Sequence, residues 1–514
     1  MTEVKHIYYR GYARSCNYQC SYCPFSKQKI TQRQLDCDRD ALKRFVKFAE
    51  QKPEDLTIMF VPYGEALIQP YYQQSMAYLT SFSHIKAVGA QTNLSFSIES
   101  LLEEIRLAGG KVSKLRLWCS YHPDMVSEDR FLEQCHRLVQ AGISFCVGGV
   151  AVPENTERLK HLRSRLHPAV YLWLNRQDGL KRNYTQEEFQ AFCDIDPLFD
   201  LQFVKRNRTL NHNAAGGCTA GSKSIFAEYN GDYRACNISR VTLGNLYEES
   251  EAETWSCKSS SCWCYLAWVH QFTTKEELLF GKEKYFRIPD KSKVRAFFFD
   301  LDGTLLDQRG KISEKSVRAL EVLAKTKKLY LTTSRTCESA MKKCRCIARL
   351  LSGGIFAGGA YYYEKQKEWL EVTSFSEEEE WLLRAKLSQT GQQVSVKEYR
   401  DHGRLYKVFL RGTKEQLQEF LQLDAYFETS YERGTLGLTA RGCHKGSGLQ
   451  YFLQKMGYQA EEIVVVGNSI HDIPMMDVVR QSFCVPDGEE EAKKAATWVM
   501  GIEHLPALYG EIIS

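Results

Sequence analysis

The chain has 514 residues, of which 43% are hydrophobic and 25% charged, and its formal net charge is +5. At about 150 residues per domain this length predicts about three domains, and so small a net charge gives no support to a nucleic-acid partner. The sequence contains 18 cysteines, but the initial residues MTEVKH lack the regions of a secretory signal, and no run approaches the ~18 apolar residues of a membrane span. We therefore expect a soluble protein of the reducing cytoplasm that binds neither a membrane nor nucleic acid.

Apolar runs alternate with stretches of helical period in the first part of the chain, as in βα units around a parallel sheet. Helices are predicted, for example, at residues 39–51, 100–108 and 128–140. The six predicted strands are residues 6–9, 56–61, 87–92, 114–119, 144–150 and 170–174. Six such units predict a partial (βα)6 barrel over residues 1–205. Ligands of these folds bind at the carboxyl ends of the strands, so candidate site residues are expected there.

Three cysteines follow the first predicted strand in the pattern C-x-x-x-C-x-x-C: Cys16, Cys20 and Cys23. Three thiolates on one loop suit a 4Fe-4S cluster and leave its fourth iron open to a small molecule. A structural zinc site or a disulfide remains an alternative. The spacing resembles the radical S-adenosylmethionine (SAM) superfamily. That resemblance implies that the open iron chelates SAM, and that the reduced cluster cleaves SAM to a 5′-deoxyadenosyl radical.

Residues at the ends of the next strands extend this resemblance. Gly64 and Glu65, within Y-G-E-A, resemble the G-G-E-P segment that receives the SAM amino group, since glycine permits close approach and a carboxylate pairs with an ammonium. Asn93 follows the third strand, where the family places a polar side chain on SAM, and Tyr22 is the aromatic residue before the last cysteine. An ordinary turn and a helix cap are the alternative roles for these positions. His122, after the fourth strand, faces a substrate or is simply structural.

A second cysteine group occupies residues 206–272. Asn230-Gly231 predicts a hairpin turn there, and Gly231 followed by a cysteine five residues later resembles the SPASM or twitch extensions of radical SAM enzymes. The resemblance implies an auxiliary 4Fe-4S cluster, and a zinc ribbon is the alternative. The ligands we favour are Cys218, Cys236, Cys262 and Cys264, with Cys257 in reserve. Residues 273–293 are polar and rich in lysine, which predicts a linker.

A second enzyme is predicted over residues 294–514. A buried-strand pattern leads into Asp300-Leu-Asp302-Gly-Thr, and two carboxylates two residues apart after a strand provide a nucleophile and a proton donor. This motif resembles the haloacid dehalogenase (HAD) phosphatases. The resemblance implies that Asp300 attacks phosphorus, and that Asp302 protonates the leaving group and later activates water.

The remaining HAD motifs follow in the order of that family, with the key residues Thr333, Lys445 and Asp472. The resemblance implies that Thr333 hydrogen-bonds the phosphoryl group and that Lys445 offsets its charge. It also implies a Mg²⁺ site formed by Asp300, Asp472 and the main-chain carbonyl of Asp302.

Asn468 departs from the family pattern, which commonly has aspartate at this position, and an amide removes one negative charge from the metal site. We still expect activity, because the other acidic groups remain. Residues of about 357–436 have the length of the α/β cap called type C2. The whole chain is thus predicted to be an α/β protein with a partial (βα)6 barrel, a small cysteine-rich extension and a Rossmann-like HAD domain with an α/β cap.

The fusion of these parts suggests a bifunctional enzyme. The barrel would abstract hydrogen from a small metabolite, with electrons from a donor such as flavodoxin or ferredoxin, and the phosphatase would act on a phosphorylated metabolite of the same pathway. The implied cofactors are a SAM-binding 4Fe-4S cluster, an auxiliary 4Fe-4S cluster, SAM and Mg²⁺. Radical maturation of a ribosomal peptide and an iron-sulfur sensor that binds SAM without cleaving it are the alternatives.

Overall fold

The structure, a computed structural model, describes residues 5–23, 29–177, 179–206, 220–248, 274–389, 394–432 and 434–512. The chain forms two compact units, Met1–Asp290 with Ile512–Ser514 and Lys291–Glu511. Within the described ranges, no helix is both long and apolar enough to span a membrane. The boundary after Asp290 lies close to residue 294, where the sequence predicts the second enzyme to begin.

The first unit contains a sheet of nine strands in the described part of the chain. They are β1 Lys5–Arg10, β2 Leu56–Phe60, β3 Ile85–Thr92, β4 Leu115–Ser120, β5 Ser144–Ala151, β6 Leu172–Arg176, β7 Ser224–Glu228, β8 Asp232–Arg234 and β9 Thr242–Asn245. The order is β6-β5-β4-β3-β2-β1-β7-β8-β9. Neighbours from β6 to β7 are parallel, whereas β7, β8 and β9 pair antiparallel. All six predicted strands are present in this sheet, and their sequential order fits the predicted βα series.

Helices follow most of these strands: α1 Gln32–Gln51, α2 Pro70–Ser81, α3 Ile98–Leu107, α4 Glu128–Gln140, α5 Thr156–Arg165, α6 Gln186–Ile195, α7 Leu201–Arg206 and α8 Thr274–Phe280. Helix α1 begins seven residues before its predicted start at residue 39. The Thr31 side chain accepts a hydrogen bond from the Gln34 amide, and the Gln34 side chain accepts one from the Thr31 amide, which is a capping box. Because alternate strand residues point to one face, Ile7, Ile58 and Leu117 share a core with these helices.

The opposite face of the sheet is covered by residues that follow α8. The Arg287 guanidinium lies 3.6 Å from the ring centroid of Trp118 and 3.5 Å from that of Trp173. The Tyr285 ring stacks on His6 with centroids 4.3 Å apart. Arg287 is 1% exposed and has a φ of 57°, a left-handed backbone that costs about 1 kcal/mol. Part of the predicted linker therefore packs on the sheet.

The second unit contains a main sheet of eight strands in its described part, ordered β14-β13-β12-β11-β10-β19-β20-β21. They are β10 Ala296–Phe299, β11 Lys328–Thr332, β12 Leu351–Phe356, β13 Tyr361–Glu364, β14 Trp369–Val372, β19 Ile463–Gly467, β20 Gln481–Cys484 and β21 Trp498–Val499. Strand β10 is central, parallel to both β11 and β19, and all four of its residues are buried. An apolar run covered on both faces is typical of a parallel sheet.

A separate four-stranded sheet forms the cap, with the order β15-β16-β18-β17. Its strands are β15 Ser395–Asp401, β16 Arg404–Arg411, β17 Phe427–Glu432 and β18 Thr435–Ala440. The helices of this unit are α9 Glu314–Leu323, α10 Cys337–Lys343, α11 Glu377–Gln389, α12 Lys414–Leu421, α13 Lys445–Met456, α14 Ile473–Met476, α15 Glu490–Ala495 and α16 Leu505–Tyr509. The cap sheet shares its own core with α11 and α12 through Val408, Leu383 and Leu417. Strands β13 and β14, inside the predicted cap range, instead extend the main sheet.

Candidate functional site

The carboxylate of Asp300 lies directly after the central strand β10 of the second unit. Its Oδ1 accepts a hydrogen bond from Lys445 Nζ at 2.6 Å, and its Oδ2 accepts one from Thr304 Oγ1 at 3.1 Å. Lys445, the first residue of α13, also donates to Asp472 Oδ1 at 2.6 Å. One ammonium thus joins the predicted nucleophile to a predicted metal ligand.

Burial and charge oppose each other in this group. Burial raises the pKa of Asp300, the Asp472 carboxylate acts in the same direction, and the Lys445 ammonium opposes them. Burial alone would lower the pKa of Lys445, but the two carboxylates raise it above its usual range. Asp472 Oδ2 also accepts the backbone amides of Asn468 at 2.9 Å and Ser469 at 3.0 Å. Two carboxylates with one ammonium leave a negative charge for a cation such as Mg²⁺ to balance.

Asn468 occupies the position where the sequence departs from the family pattern. With its amide nitrogen turned toward the carboxylates, it donates to Asp300 Oδ2 at 3.1 Å and to the Asp302 carbonyl at 3.1 Å. Gly303 allows this approach, because a Cβ there would lie 2.3 Å from the Asn468 amide. The amide therefore binds two of the oxygens predicted to hold Mg²⁺.

Asp302 is held by an arginine to which the sequence assigned no role. Arg335 donates through Nε to Asp302 Oδ2 at 2.6 Å and through Nη2 to Oδ1 at 2.8 Å. The backbone amide of Arg335 donates to Thr333 Oγ1 at 3.2 Å. The signal that could have found Arg335 is its place two residues after Thr333 in the second motif.

Two adjoining cavities open above these residues. One has a volume of about 820 Å³ and the other, which includes Asp300 and Lys445, about 330 Å³. Residues Asp302, Ser430 and His471 line both. Since Ser430 belongs to the cap strand β17, the cap faces the reacting groups across these cavities. Sequence reasoning missed the cap residues, because no motif marks which side of a cap strand faces the core domain.

The cysteine loop of the first unit follows β1, as predicted. Cys20 is buried, whereas Cys16 and Cys23 are half-buried. The Glu65 amide donates to the Ser15 carbonyl at 3.0 Å. Gly64 has a φ of 139°, and a Cβ there would lie 1.9 Å from the Ser15 carbonyl oxygen. Only glycine permits this contact, so the residues after β2 pack directly against the backbone of the cysteine loop.

The end of β3 contacts the same loop. Asn93 Nδ2 donates to Cys16 Sγ at 3.7 Å. Glu65 accepts hydrogen bonds from Thr92 Oγ1 and the Leu67 amide, both at 3.0 Å, and from the Asn93 amide. Burial raises the pKa of Glu65 to about 7, although these three donors act in the opposite direction. The predicted residues Cys16, Glu65 and Asn93 are thus brought together.

The end of β4 reaches the loop through His122. Tyr22 Oη and His122 Nδ1 are 2.8 Å apart. Burial lowers the pKa of His122 to about 4. Burial, together with the neighbouring Cys23 and Cys16, raises the pKa of Cys20 to about 11. Burial thus favours the neutral thiol at Cys20, which would lose its proton on binding a metal.

In the part of the chain that the structure describes, no group of three or more His, Cys, Asp or Glu side chains is arranged to hold a metal ion. The residues present nevertheless suit the implied cofactors. In the first unit, Asn93 donates to a thiol of the loop predicted to hold the iron-sulfur cluster. In the second unit, the two carboxylates around Lys445 carry more negative charge than the one ammonium balances, which suits Mg²⁺. In the second cysteine group, the predicted hairpin is present between β7 and β8, and Gly231 in its turn has a φ of 94°. Cys236 Sγ accepts the Ser239 amide at 3.4 Å. The other predicted ligands lie outside the described residues: Cys218, Cys257, Cys262 and Cys264.

Comparisons with known proteins bear on the second unit. Residues 297–380 and 355–505 match a family model described as haloacid dehalogenase-like hydrolase. A phosphoglycolate phosphatase of Methanothermobacter thermautotrophicus is 24% identical over 214 residues, which cover 41% of this chain and 94% of that protein. Another from Methanosarcina acetivorans is 39% identical over 56 residues, covering 11% of this chain and 25% of the relative.

Among solved structures, a haloacid dehalogenase-like hydrolase from Bacteroides thetaiotaomicron is 16% identical to this chain, with a TM-score of 0.37. The match covers 42% of this chain and 98% of the hydrolase. The match to the family model shows that the C-terminal part of the chain carries a hydrolase domain of the haloacid dehalogenase superfamily, as the sequence predicted.

Proposed function

We propose that the second unit is a Mg²⁺-dependent phosphatase of small phosphorylated metabolites. The observation that carries this proposal is the network in which Lys445 bridges Asp300 and Asp472 beneath a cavity covered by the cap. The names of the archaeal relatives support it. Bound Mg²⁺ would be held by Asp300, Asp472 and the Asp302 carbonyl, and it would supply positive charge against the phosphoryl oxygens.

The reaction then divides between two carboxylates. An oxygen of Asp300 attacks phosphorus, and the bond to the ester oxygen breaks as that oxygen takes a proton from Asp302. Water next attacks the aspartyl phosphate, gives its proton to Asp302, and releases phosphate and free Asp300. Arg335 holds the ionised Asp302, the form that accepts the proton of water, and one Asp302 oxygen has to leave the guanidinium when it carries the proton for the ester oxygen. Lys445 offsets charge on the phosphoryl group.

The test is hydrolysis of p-nitrophenyl phosphate by the full chain with Mg²⁺. Asp300→Asn should lower kcat by a factor of 10³ or more, on the order expected when a nucleophile is lost. Asp477→Asn, a change of an exposed carboxylate, is the matched control and should retain wild-type activity. Equal activity in Asp300→Asn and the wild type would refute the assignment.

We further propose that the first unit is a radical SAM enzyme, so that the chain is bifunctional. The convergence of Cys16, Glu65, Asn93 and His122 from the ends of four neighbouring strands favours this function. The sheet would form the predicted partial barrel, and the second cysteine group the auxiliary cluster. The enzyme would need an electron donor such as flavodoxin or ferredoxin, and the cytoplasmic location stays a prediction. The comparisons above concern only the second unit, so the residues alone support this proposal.

Anaerobic reconstitution with iron and sulfide tests it. The wild type and Cys37→Ser, a change of an exposed cysteine on α1, should bind iron and, once reduced, convert SAM to 5′-deoxyadenosine. Cys20→Ser should do neither. SAM binding without 5′-deoxyadenosine, with small metabolites and candidate peptides both supplied, would instead favour the sensor alternative. Tight zinc and no iron would point to a structural zinc site.

A further inference from the structure

A small cavity of about 210 Å³ lies at the carboxyl ends of β1, β2 and β7 in the first unit. It is lined by Gly11, which directly follows β1, by Tyr63 beyond the end of β2, and by Glu228, the last residue of β7. Ligands of parallel βα folds bind at this edge of the sheet. Arg14 also lines the cavity and precedes Cys16 by two residues, so a ligand bound here would lie beside the cysteine loop.

The Tyr63 ring packs against two arginines next to this cavity. The guanidinium carbon of Arg10 lies 3.9 Å from the ring centroid, and that of Arg14 lies 4.8 Å from it. Tyr63 stands at the position where the Y-G-E-A segment departs from the first glycine of G-G-E-P. Packing on an aromatic ring orients a guanidinium without neutralising its charge. An anion bound beside the two arginines would relieve the repulsion between them.

Three basic side chains lie at or next to the cavity: Arg10, Arg14 and Lys29. Arg10 is 2% exposed and donates to the Val61 carbonyl at 3.1 Å and to Asn237 Oδ1 at 2.8 Å, which are both neutral acceptors. Arg14 and Lys29 are exposed and line the cavity, and neither forms an ion pair within the described residues. The cavity therefore has two cations available to a ligand.

Two carboxylates lie near the cavity, and each has partners of its own. Glu228 forms an ion pair with Arg234. Asp38 lies behind Gly11, where a Cβ would be 2.4 Å from its Oδ1, and it accepts a hydrogen bond from the Ala13 amide at 3.0 Å. With Arg234 there are four cations against these two carboxylates, which leaves an excess of two positive charges.

We propose that this cavity binds the phosphate group of a small phosphorylated metabolite through Arg14 and Lys29. A phosphate monoester carries about two negative charges at neutral pH, which would balance the excess. The guanidinium fork also matches the spacing of phosphate oxygens, and a volume of about 210 Å³ suits the head group of a small molecule. The use of this metabolite as the substrate of the first unit rests on the proposed radical SAM function.

Modification of arginines by phenylglyoxal in the full chain tests the site. At constant ionic strength, millimolar inorganic phosphate should slow the modification of the exposed Arg14 about tenfold, as measured by mass spectrometry of its peptide. Arg33, an exposed arginine at the start of α1, is the internal control and should react equally fast with and without phosphate. Acetate should protect Arg14 much less than phosphate does.

A substitution tests the second cation. Lys29→Gln should raise the phosphate concentration needed for half-protection of Arg14 about tenfold, because one of the two charged donors is lost. Lys47→Gln, a change of an exposed lysine on α1, should leave that concentration unchanged. Glycerol 3-phosphate should also protect Arg14 in the Asp300→Asn chain, in which the second unit should not hydrolyse it, and glycerol should not protect.

Equal modification of Arg14 with and without phosphate, or equal protection of Arg14 and Arg33, would overturn the inference. Protection by acetate as strong as that by phosphate would overturn the assignment to phosphate. The radical SAM proposal fails separately. If phosphate protects Arg14 in a chain that never forms 5′-deoxyadenosine, that function is refuted and the phosphate site stands.

Discussion

The two candidate sites differ in whether their predicted functional residues contact one another when no metal is bound. In the second unit, Lys445 contacts Asp300 and Asp472 at 2.6 Å, because opposite charges pair directly. In the first unit the predicted ligands are three thiols of one kind, and burial raises the pKa of Cys16 and Cys20. Groups that repel one another once ionised gain nothing by clustering until a metal arrives. The carboxylate site can therefore be recognised from the ion pairs between its own residues. The thiol site has to be recognised from the residues around the cysteine loop.

Replacing Lys445 is expected to have the largest effect on the carboxylate site. Lys445→Met should reduce kcat/KM for p-nitrophenyl phosphate by a factor of about 10³, and it should destabilise the metal-free second unit by about 3–5 kcal/mol, since two buried carboxylates lose their partner. Urea unfolding and steady-state kinetics measure both effects. Lys455→Met, on the exposed face of the same helix, should change neither by much. Unaltered stability in Lys445→Met would mean that the two carboxylates do not depend on the ammonium.

Arg287 tests whether the first unit needs the segment after α8. Arg287→Ala should destabilise this unit by about 3 kcal/mol, because it removes a fully buried side chain stacked between Trp118 and Trp173 and leaves a cavity. Urea unfolding followed by tryptophan fluorescence is the measurement. The partly exposed Arg39 offers the control Arg39→Ala, for which about 0.5 kcal/mol or less is expected. An equally small loss in Arg287→Ala would show that the segment is not part of the fold.

Glu65 is expected to make the stability of the first unit depend on pH. Its pKa in the folded protein, about 7, lies above its ordinary value of 4.5, so the folded state holds the proton more tightly than the unfolded state. Its contribution to stability is complete below about pH 4.5 and is lost as the pH rises to about 7, by up to about 3 kcal/mol. Glu65→Gln should remove this loss, so its unfolding free energy relative to the metal-free wild type should rise from pH 5 to pH 8. A difference that does not vary with pH would contradict the shift.

The smallest effect is expected at Asn468. Asn468→Asp adds a carboxylate next to Asp300 and should lower the Kd for Mg²⁺ about tenfold, because ligand charge sets the affinity for hard cations. Isothermal titration calorimetry with Mg²⁺ gives this Kd. Asn468→Ser, which has the shorter hydroxyl group, should bind Mg²⁺ no more tightly than the wild type. An unchanged Kd in Asn468→Asp would show that a negative charge at this position does not contribute to Mg²⁺ binding.

Local signals accounted for much of the architecture. Six of the nine described strands of the first unit were predictable because buried parallel strands are short apolar runs. The turn at Gly231 was predictable because few residues adopt its backbone conformation. The Asp300 motif predicted the central strand that precedes it. The roles of Arg287 and Arg335 were not predictable, since each depends on contacts with residues far away in the chain. Helix α1 could have been placed correctly from the Thr31 capping box.

The stacking of Arg287 between two tryptophans has a consequence for how the two units can be separated genetically. A gene cut at the end of the cysteine-rich region would remove from the first unit residues that pack on its own sheet, although those residues resemble a spacer in the sequence. The continuous part of the first unit extends to Asp290, so a cut should spare the residues up to that point. A free-standing homologue of the first unit should carry an equivalent tail of aromatic and basic residues.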